Sequence, residues 1–313
     1  MIIEEVTYKE YCTRVVAKIF FNRPEFNFLN KDKVTAVRYL LFKDKKYRFS
    51  LCVGQKENFL YAPFSAPFAT FVNFREDWSI IQLEDSVNAF NDFAVNAGVH
   101  CVKFTLPPAF YAESLVSSLQ NIFLRSGYFV KYQDLNFSLR LDKNFLDSYV
   151  NIIPSNGRKN LNSSLNNNLI FHKCENLADK KSAYDVIKAN RHSRGYPLKM
   201  TWEQVCATTK MVDNDFFVVA HDNENIAAAI VFHVKDDIAQ VIYWGDIPKF
   251  SSLRPTNFLA YKLINYYYKK NFNYVDIGSS TEFGVPNYGL CDFKRSIGCK
   301  IDSKFTFEKK FSI

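Results

Sequence analysis

Three apolar segments in the first half of this chain recur in the same order in the second half, and that repetition restricts the fold more than any other feature. Tyr39-Leu40-Leu41-Phe42 corresponds to Phe216-Phe217-Val218-Val219, Val102-Lys103-Phe104 to Val275-Asp276-Ile277, and Phe137-Ser138-Leu139 to Phe305-Thr306-Phe307. The offsets are all about 170 to 180 residues, the mark of an internal duplication. Each copy reads as strand, turn, strand, turn, strand, then helix and strand, then a terminal hairpin. A chain of 313 residues suits two domains of about 150. With 48% hydrophobic residues it can fill two interiors. The fold class expected is α+β, a mixed α/β chain of two tandem domains, 1–150 and 151–313. Each would be a mixed, mainly antiparallel sheet flanked by helices.

Local signals fill in this outline. Tyr39 to Phe42, Tyr47 to Val53 and Phe59 to Ala62 read as a small meander, with charged or glycine turns between them. Asp85 or Ser86 can cap a helix ended by Gly98, and a second helix runs from about Ala112 to Arg125. Strand pairs, Tyr128 to Tyr132 with Leu135 to Leu141 and a hairpin over 299–309, close the two halves. The first half thereby carries an extra helix before its fifth strand. The stretch 150–168, rich in Asn and Ser, reads as a domain connection leading into a short polar helix. Ser182 with Asp185, and Thr201 with Gln204, have capping-box spacing. Pro255 can open a helix whose apolar face is Phe258, Leu259, Leu263, Ile264 and Tyr267.

Charge and cysteine usage narrow the setting. A net charge of +8 favours an anionic partner such as a nucleotide, a phosphate-linked sugar, an RNA or an anionic membrane surface. It equally suits a generically basic, soluble surface, because the lysines are scattered rather than clustered. The seven cysteines form no Cys-x-x-Cys pair and read as free thiols in a reducing compartment. No leader pattern follows Met1, and no apolar run reaches the roughly 20 residues of a membrane helix. A cytoplasmic protein is expected. No histidine has a partner at metal-ligand spacing. Walker loop, dinucleotide fingerprint and hydrolase nucleophile motif are all missing.

One ordered series in the second half carries a family resemblance. It runs through Arg158-Lys159-Asn160, Arg191 with Gly195-Tyr196, the strand Ala227 to Val234, and Tyr243-Trp244. It continues with Arg254-Pro255, Asp276-Ile277-Gly278-Ser279-Ser280, and Asn287, Gly289-Leu290, Phe293-Lys294 and Gly298. Over roughly residues 150 to 300 this resembles the Fem-type (FemAB-like) peptidoglycan aminoacyltransferases, which are two fused copies of the GNAT fold. The first half is similar in layout only. The resemblance implies transfer of an amino acid from aminoacyl-tRNA to an amine of a cell-wall precursor peptide, with no permanently bound cofactor. Proteins of similar layout are thought to acylate sugars or peptides from acyl-CoA. Two features depart from the pattern. Lys249-Phe250-Ser251-Ser252-Leu253-Arg254-Pro255 has no glycine where an acetyl-CoA-binding GNAT places its pyrophosphate loop. Residues 191–215 also leave no room for the helical arm that some family members carry.

The same series supplies the candidate site. Lys294, carried over from the Phe-Lys pair, is expected to face an open groove and stabilise an oxyanion or the donor phosphate. Asp276 would serve as base or orienter, unless it forms a salt bridge or a cap. Arg191 and Arg254 are candidate phosphate clamps or surface ion pairs. Tyr196 and Tyr243 could hydrogen-bond a peptide or sugar, or simply pack. Ser280 and Asn287 would rim the cleft or make turn hydrogen bonds. Phe293 would pack against the donor or fill core. The function expected is transfer of an aminoacyl or acyl group to an amine or hydroxyl of a cell-wall peptide or sugar precursor, with aminoacyl-tRNA or acyl-CoA as donor. The alternatives are a CoA-dependent N- or O-acetyltransferase of a polysaccharide or peptide, and a catalytically inactive GNAT-fold binding protein.

Overall fold

The computed structural model describes residues 1–196 and 198–311. In chain order the first copy contains β1 (Ile2–Val6), α1 (Tyr8–Arg14), α2 (Pro24–Leu29), β2 (Ala36–Lys43), β3 (Tyr47–Lys56), β4 (Phe59–Ala62) and β5 (Val72–Asn73). It continues with α3 (Ile80–Asn96), β6 (Cys101–Thr105), α4 (Glu113–Arg125) and β7 (Phe129–Arg140). Helices α5 (Phe145–Ile152) and α6 (Ser155–Leu165) lead to the second copy. That copy holds β8 (Ile170–Lys173), α7 (Leu177–Ser193), α8 (Trp202–Thr209), β9 (Asn214–His221), β10 (Glu224–Lys235) and β11 (Ile238–Asp246). The chain then runs through α9 (Pro255–Lys269), β12 (Tyr274–Ser279), β13 (Thr281–Glu282), β14 (Val285–Pro286), α10 (Tyr288–Ser296) and β15 (Lys300–Lys310). The fold is the expected mixed α/β class with a repeated element order. Helix α10 is the counterpart of α4, so the first copy has no extra helix there.

The compact units do not part near residue 150. The first comprises Met1–Leu135, Thr281–Val285 and the chain from Asp302 onward; the second comprises Asn136–Ser280 and Pro286–Ile301. The break falls inside β7, a continuous strand with no change in composition to mark it. The polar stretch expected as a connection is helical instead. Neither terminal hairpin exists: β7 and β15 are single strands. Asp134 reads as a turn residue, but its carboxylate accepts from the Thr281 hydroxyl at 2.6 Å and the Gly284 N–H at 3.1 Å, so the strand runs straight through.

In the first unit the strand order is β1-β2-β3-β4-β6-β15. Alternation along β2 builds two cores. Leu40 and Phe42 join the apolar residues of α3 and α4 on one face, whereas Tyr39 and Leu41 meet Tyr11 and Val15 on the other. Helix α4 buries Leu115, Val116, Leu119, Ile122 and Phe123, a single helical stripe. Phe104 lies between Phe71 and Phe123, with ring centroids at 6.0 and 5.0 Å. Each buried phenylalanine contributes about 1.5 to 3 kcal/mol. Helix α3 begins earlier than expected, capped by Ser79, whose own N–H donates in return to the Gln82 side-chain oxygen.

In the second unit the order is β12-β11-β10-β9-β8, with β7 from Asn136 onward beside β12. Ala227 through Phe232 of β10 are all buried, because α7 covers one face of the strand and α9 the other. A run of apolar residues without alternation is what two covered faces require. Thr201 and Gln204 do form a capping box on α8. Helix α7 is capped by Asn176, leaving Ser182 inside it, where its hydroxyl accepts from Asn225 at 2.9 Å.

Candidate active site

Two strands of the second unit separate to form a fork. Strands β11 and β12 are parallel over only three rungs, Ile238↔Tyr274, Ala239↔Val275 and Gln240↔Asp276. Beyond that point each is bulged against its other neighbour. Ile230 pairs with Tyr243 while Val231 pairs with Val241, so Ile242 is the extra residue in β11. Asp276 pairs with Ser138 and Gly278 with Phe137, which makes Ile277 the extra residue in β12. Bulges bend and twist a strand locally, and here they carry two adjacent strands apart. Gly278 sits at φ +74, a conformation that glycine adopts without steric cost.

A buried polar lattice holds the base of the fork. Asp276 is 0% exposed. One of its oxygens accepts from the Asn136 amide and the Gly278 N–H, each at 2.8 Å, and the other accepts from the Gln240 amide at 2.7 Å. Lys294 is 2% exposed, and its ammonium donates to the carbonyls of Ile277 at 2.9 Å, Gly278 at 2.8 Å and Ser279 at 3.1 Å. Burial pushes its pKa down to about 8, an effect the Arg191 charge reinforces and Asp276 opposes. The expected free cation in an open groove is therefore not what the fold builds. An ammonium has three protons, and all three are committed to the bulged backbone of β12. Asp276, with three donors on its two oxygens, is arranged as an orienter rather than as a base.

The remaining candidates divide into groups. Arg191, in the last turn of α7, is half-buried. Its Nε lies buried without a hydrogen-bond partner, and it has no ion pair among the described residues. Burial lowers its pKa, and the nearby Tyr243 hydroxyl partly offsets this. The Tyr243 hydroxyl is itself raised by burial and lowered in turn by the Arg191 charge, so the two groups are neighbours. Phe293 packs edge-on against Trp244 of β11, with centroids 5.7 Å apart. Ser280 is buried with an unpartnered hydroxyl. Asn287 caps α10: its side chain accepts from the Leu290 N–H at 3.0 Å, and its own N–H donates to the Ser280 carbonyl at 2.9 Å. Tyr196 is 56% exposed, with its backbone N–H on the Arg191 carbonyl at 3.0 Å. Arg254 is exposed at φ +56, the residue before α9, and forms no ion pair among the described residues. The glycine-free segment ahead of it, Pro248–Leu253, winds as a 3-10 helix.

Sequence reasoning missed Gln240 and Asn136. The available signal was a lone amide in an otherwise apolar strand, since Gln240 lies between Ala239 and Val241. Among the described residues the first unit has no equivalent opening. Its β4 pairs with β6 from Phe59↔Cys101 to Ala62↔Phe104. The chain then folds back so that the Ala69 N–H meets the Thr105 carbonyl at 2.9 Å, while Phe68 and Phe71 are buried.

Neither a protein-family model nor a curated protein sequence matches this chain. Solved structures do. FemX superposes with a TM-score of 0.69 at 11% identity, covering 99% of this chain and 98% of its own. L-PGS from Bacillus licheniformis matches at 0.61 and 12% identity, covering 98% and 92%. A C-terminal domain ascribed to a lysylphosphatidylglycerol synthetase of Agrobacterium fabrum matches at 0.63 and 12%, covering 97% and 93%. At such identities the likeness is one of fold, and it spans both copies of the repeat. This chain therefore has the Fem-like GNAT fold.

Proposed function

We propose that the second unit transfers an aminoacyl or acyl group to an amine or hydroxyl of a cell-wall peptide or sugar precursor. The supporting observation is the fork. Beyond Gln240, β11 continues to Asp246 with no strand partner on the β12 side among the described residues, so its backbone can hydrogen-bond an extended donor chain. Backbone N–H groups aimed at a donor carbonyl stabilise the oxyanion that forms when the acceptor attacks, by several kcal/mol in a site from which water is excluded. The acceptor lone pair forms the new bond to the carbonyl carbon. The ester or thioester bond breaks, and the leaving oxygen or sulfur takes up the proton released by the acceptor. Arg191, half-buried without a carboxylate, is suited to clamp a phosphate or carboxylate of either substrate.

Aminoacyl-tRNA is the preferred donor over acyl-CoA, because the segment 248–254 lacks glycine where a diphosphate would need close backbone approach. A cytoplasmic setting fits both the donor and the acceptor. No helix among the described residues is long and apolar enough to cross a membrane. The full committal of Lys294 and Asp276 favours a second reading, a GNAT-fold binding protein without chemistry. Mass spectrometry of a UDP-muramyl peptide incubated with the protein and charged tRNA, or with acetyl-CoA, separates the readings. A mass increase of one aminoacyl group supports the first, and an acetyl increment supports the CoA-dependent alternative. An unmodified peptide that nevertheless raises the melting temperature would leave only the binding role.

A further inference from the structure

One end of the sheet in the first unit gathers three segments of the chain. Strand β1 begins there, with Ile2 opposite Lys43, and β2 turns into β3 there, with Lys43 opposite Tyr47. Strand β5 pairs with β3 at Phe49 and Ser50, and the chain then reaches Trp78, whose ring stands edge-on to Phe49 with centroids 6.0 Å apart. Helix α3 starts directly afterwards, held by the Ser79 capping box. Its first residues, Ile80 and Ile81, are 59% and 67% exposed, and Ile2 is 70% exposed. Single exposed aliphatic residues need no explanation. Three isoleucines beside a half-buried tryptophan, all at one end of one sheet, form a patch.

Cations border this patch, and the carboxylates of the same loops are paired. The β2–β3 turn carries Lys43, Lys45 and Lys46, all exposed and without an ion pair among the described residues. Asp44 is held by Arg48, Asp77 by Arg75 and Glu76 by Lys18. On α3, Glu84 pairs with Arg125, which leaves Asp85 exposed more than a turn from the helix start. This pairing sets the kind of partner. Arg48 and Arg75, the groups able to grip a phosphate bidentately, are engaged by their own carboxylates. The turn therefore offers only lysines, compact charges that respond to a diffuse field. The apolar part is largely aliphatic and gains little from the base stacking that a nucleic acid supplies. Isoleucine gains instead from leaving water for hydrocarbon, and tryptophan is favoured at the boundary between the two.

We propose that this end of the first unit docks on an anionic lipid bilayer. Ile2, Ile80 and Ile81 enter the acyl boundary, and Lys43, Lys45 and Lys46 lie among the headgroups. Such docking does not depend on the transfer reaction proposed above, whose residues belong to the second unit. Co-sedimentation of the full chain with vesicles tests it, using phosphatidylcholine alone and phosphatidylcholine with about one-third phosphatidylglycerol. The mixed vesicles should carry the protein down and the neutral ones should not, and binding should fall as salt rises to about 0.5 M. Lys45→Gln combined with Lys46→Gln should weaken partitioning about 25-fold, since each lysine near such a surface contributes about fivefold. Ile80→Ser combined with Ile81→Ser, both at exposed positions, should weaken it about tenfold and leave the melting temperature unchanged. Lipids brominated in the upper acyl chain should quench tryptophan fluorescence in wild type, and Trp78→Phe should remove that quenching. No binding to the mixed vesicles, equal binding to the neutral ones, or either double variant partitioning like wild type would overturn the proposal. So would a uridine oligonucleotide held more tightly than the vesicles by the same lysines, which would make the surface a nucleic-acid site. Self-association that is lost in the isoleucine variant would equally overturn it, by making the patch a contact between copies.

Discussion

Gln240 and Asp276 occupy the last rung that β11 and β12 share, and the Gln240 amide donates to the Asp276 carboxylate at 2.7 Å. The bond closes the ladder at the point where the strands part. On the far side of the same carboxylate, Asn136 and Gly278 anchor the bulge that turns β12 away. A buried anion that accepts three hydrogen bonds on its two oxygens is rigid, because each partner would be left unsatisfied if the group moved. The fork is thus braced by the buried side chains of Asp276, Asn136 and Gln240.

Asp276→Asn tests that brace. It preserves shape but replaces an acceptor oxygen with a donor facing either the Gln240 amide or the Asn136 and Gly278 donors. A loss of about 2 to 4 kcal/mol is expected in urea unfolding. An unchanged midpoint would show that the carboxylate braces nothing.

Lys294 should reveal itself through pH. Its folded pKa, about 8, lies below that of a lysine in an unfolded chain. The unfolded state then holds more protons across that interval, so stability rises as pH climbs from about 8 toward the ordinary lysine range. The buried thiols of Cys52 and Cys299, held up by desolvation, work the other way at alkaline pH, so the test is the difference: from about pH 8 to about pH 10 the melting temperature of wild type should gain on that of Lys294→Met. The variant should also be less stable at neutral pH, since three carbonyls lose their donor. A Met variant with the wild-type pH slope would assign the titration elsewhere.

Arg191→Ala should behave in the opposite way. No ion pair is lost, and removing a desolvated guanidinium relieves a cost, so unfolding should shift by no more than about 0.5 kcal/mol. Transfer should nonetheless fall by about 10- to 100-fold in kcat/KM if the guanidinium clamps an anionic substrate group. Unaltered kinetics would free Arg191 of that role.

Gly157→Ala probes the support beneath α10. A Cβ at this position of α6 would lie 2.0 Å from the Ser296 carbonyl oxygen, so one helix must move. Ser296 is two residues beyond Lys294, and any displacement of α10 draws the ammonium from its three carbonyls. A cost above about 2 kcal/mol is expected by denaturation. A neutral substitution would mean that α6 and α10 can separate freely.

The sequence on its own determined the repeated element order, the apolar face of α9, and the Thr201 and Gln204 capping box. These are local properties: periodicity and capping are written in residues a few positions apart. Tertiary structure alone decided where the hydrogen bonds of Lys294 and Asp276 go, because their partners Asn136, Gln240 and the bulged backbone at Ile277 lie on other elements. It also decided that β11 and β12 part to leave an open fork in one unit, while β4 of the other pairs with β6 along its whole length. It placed the unit boundary inside β7, since a strand that continues through the break leaves no compositional trace. A lysine beside a phenylalanine reads the same in sequence whether its charge faces a substrate or the protein's own backbone. Only the arrangement of distant carbonyls around it makes the difference.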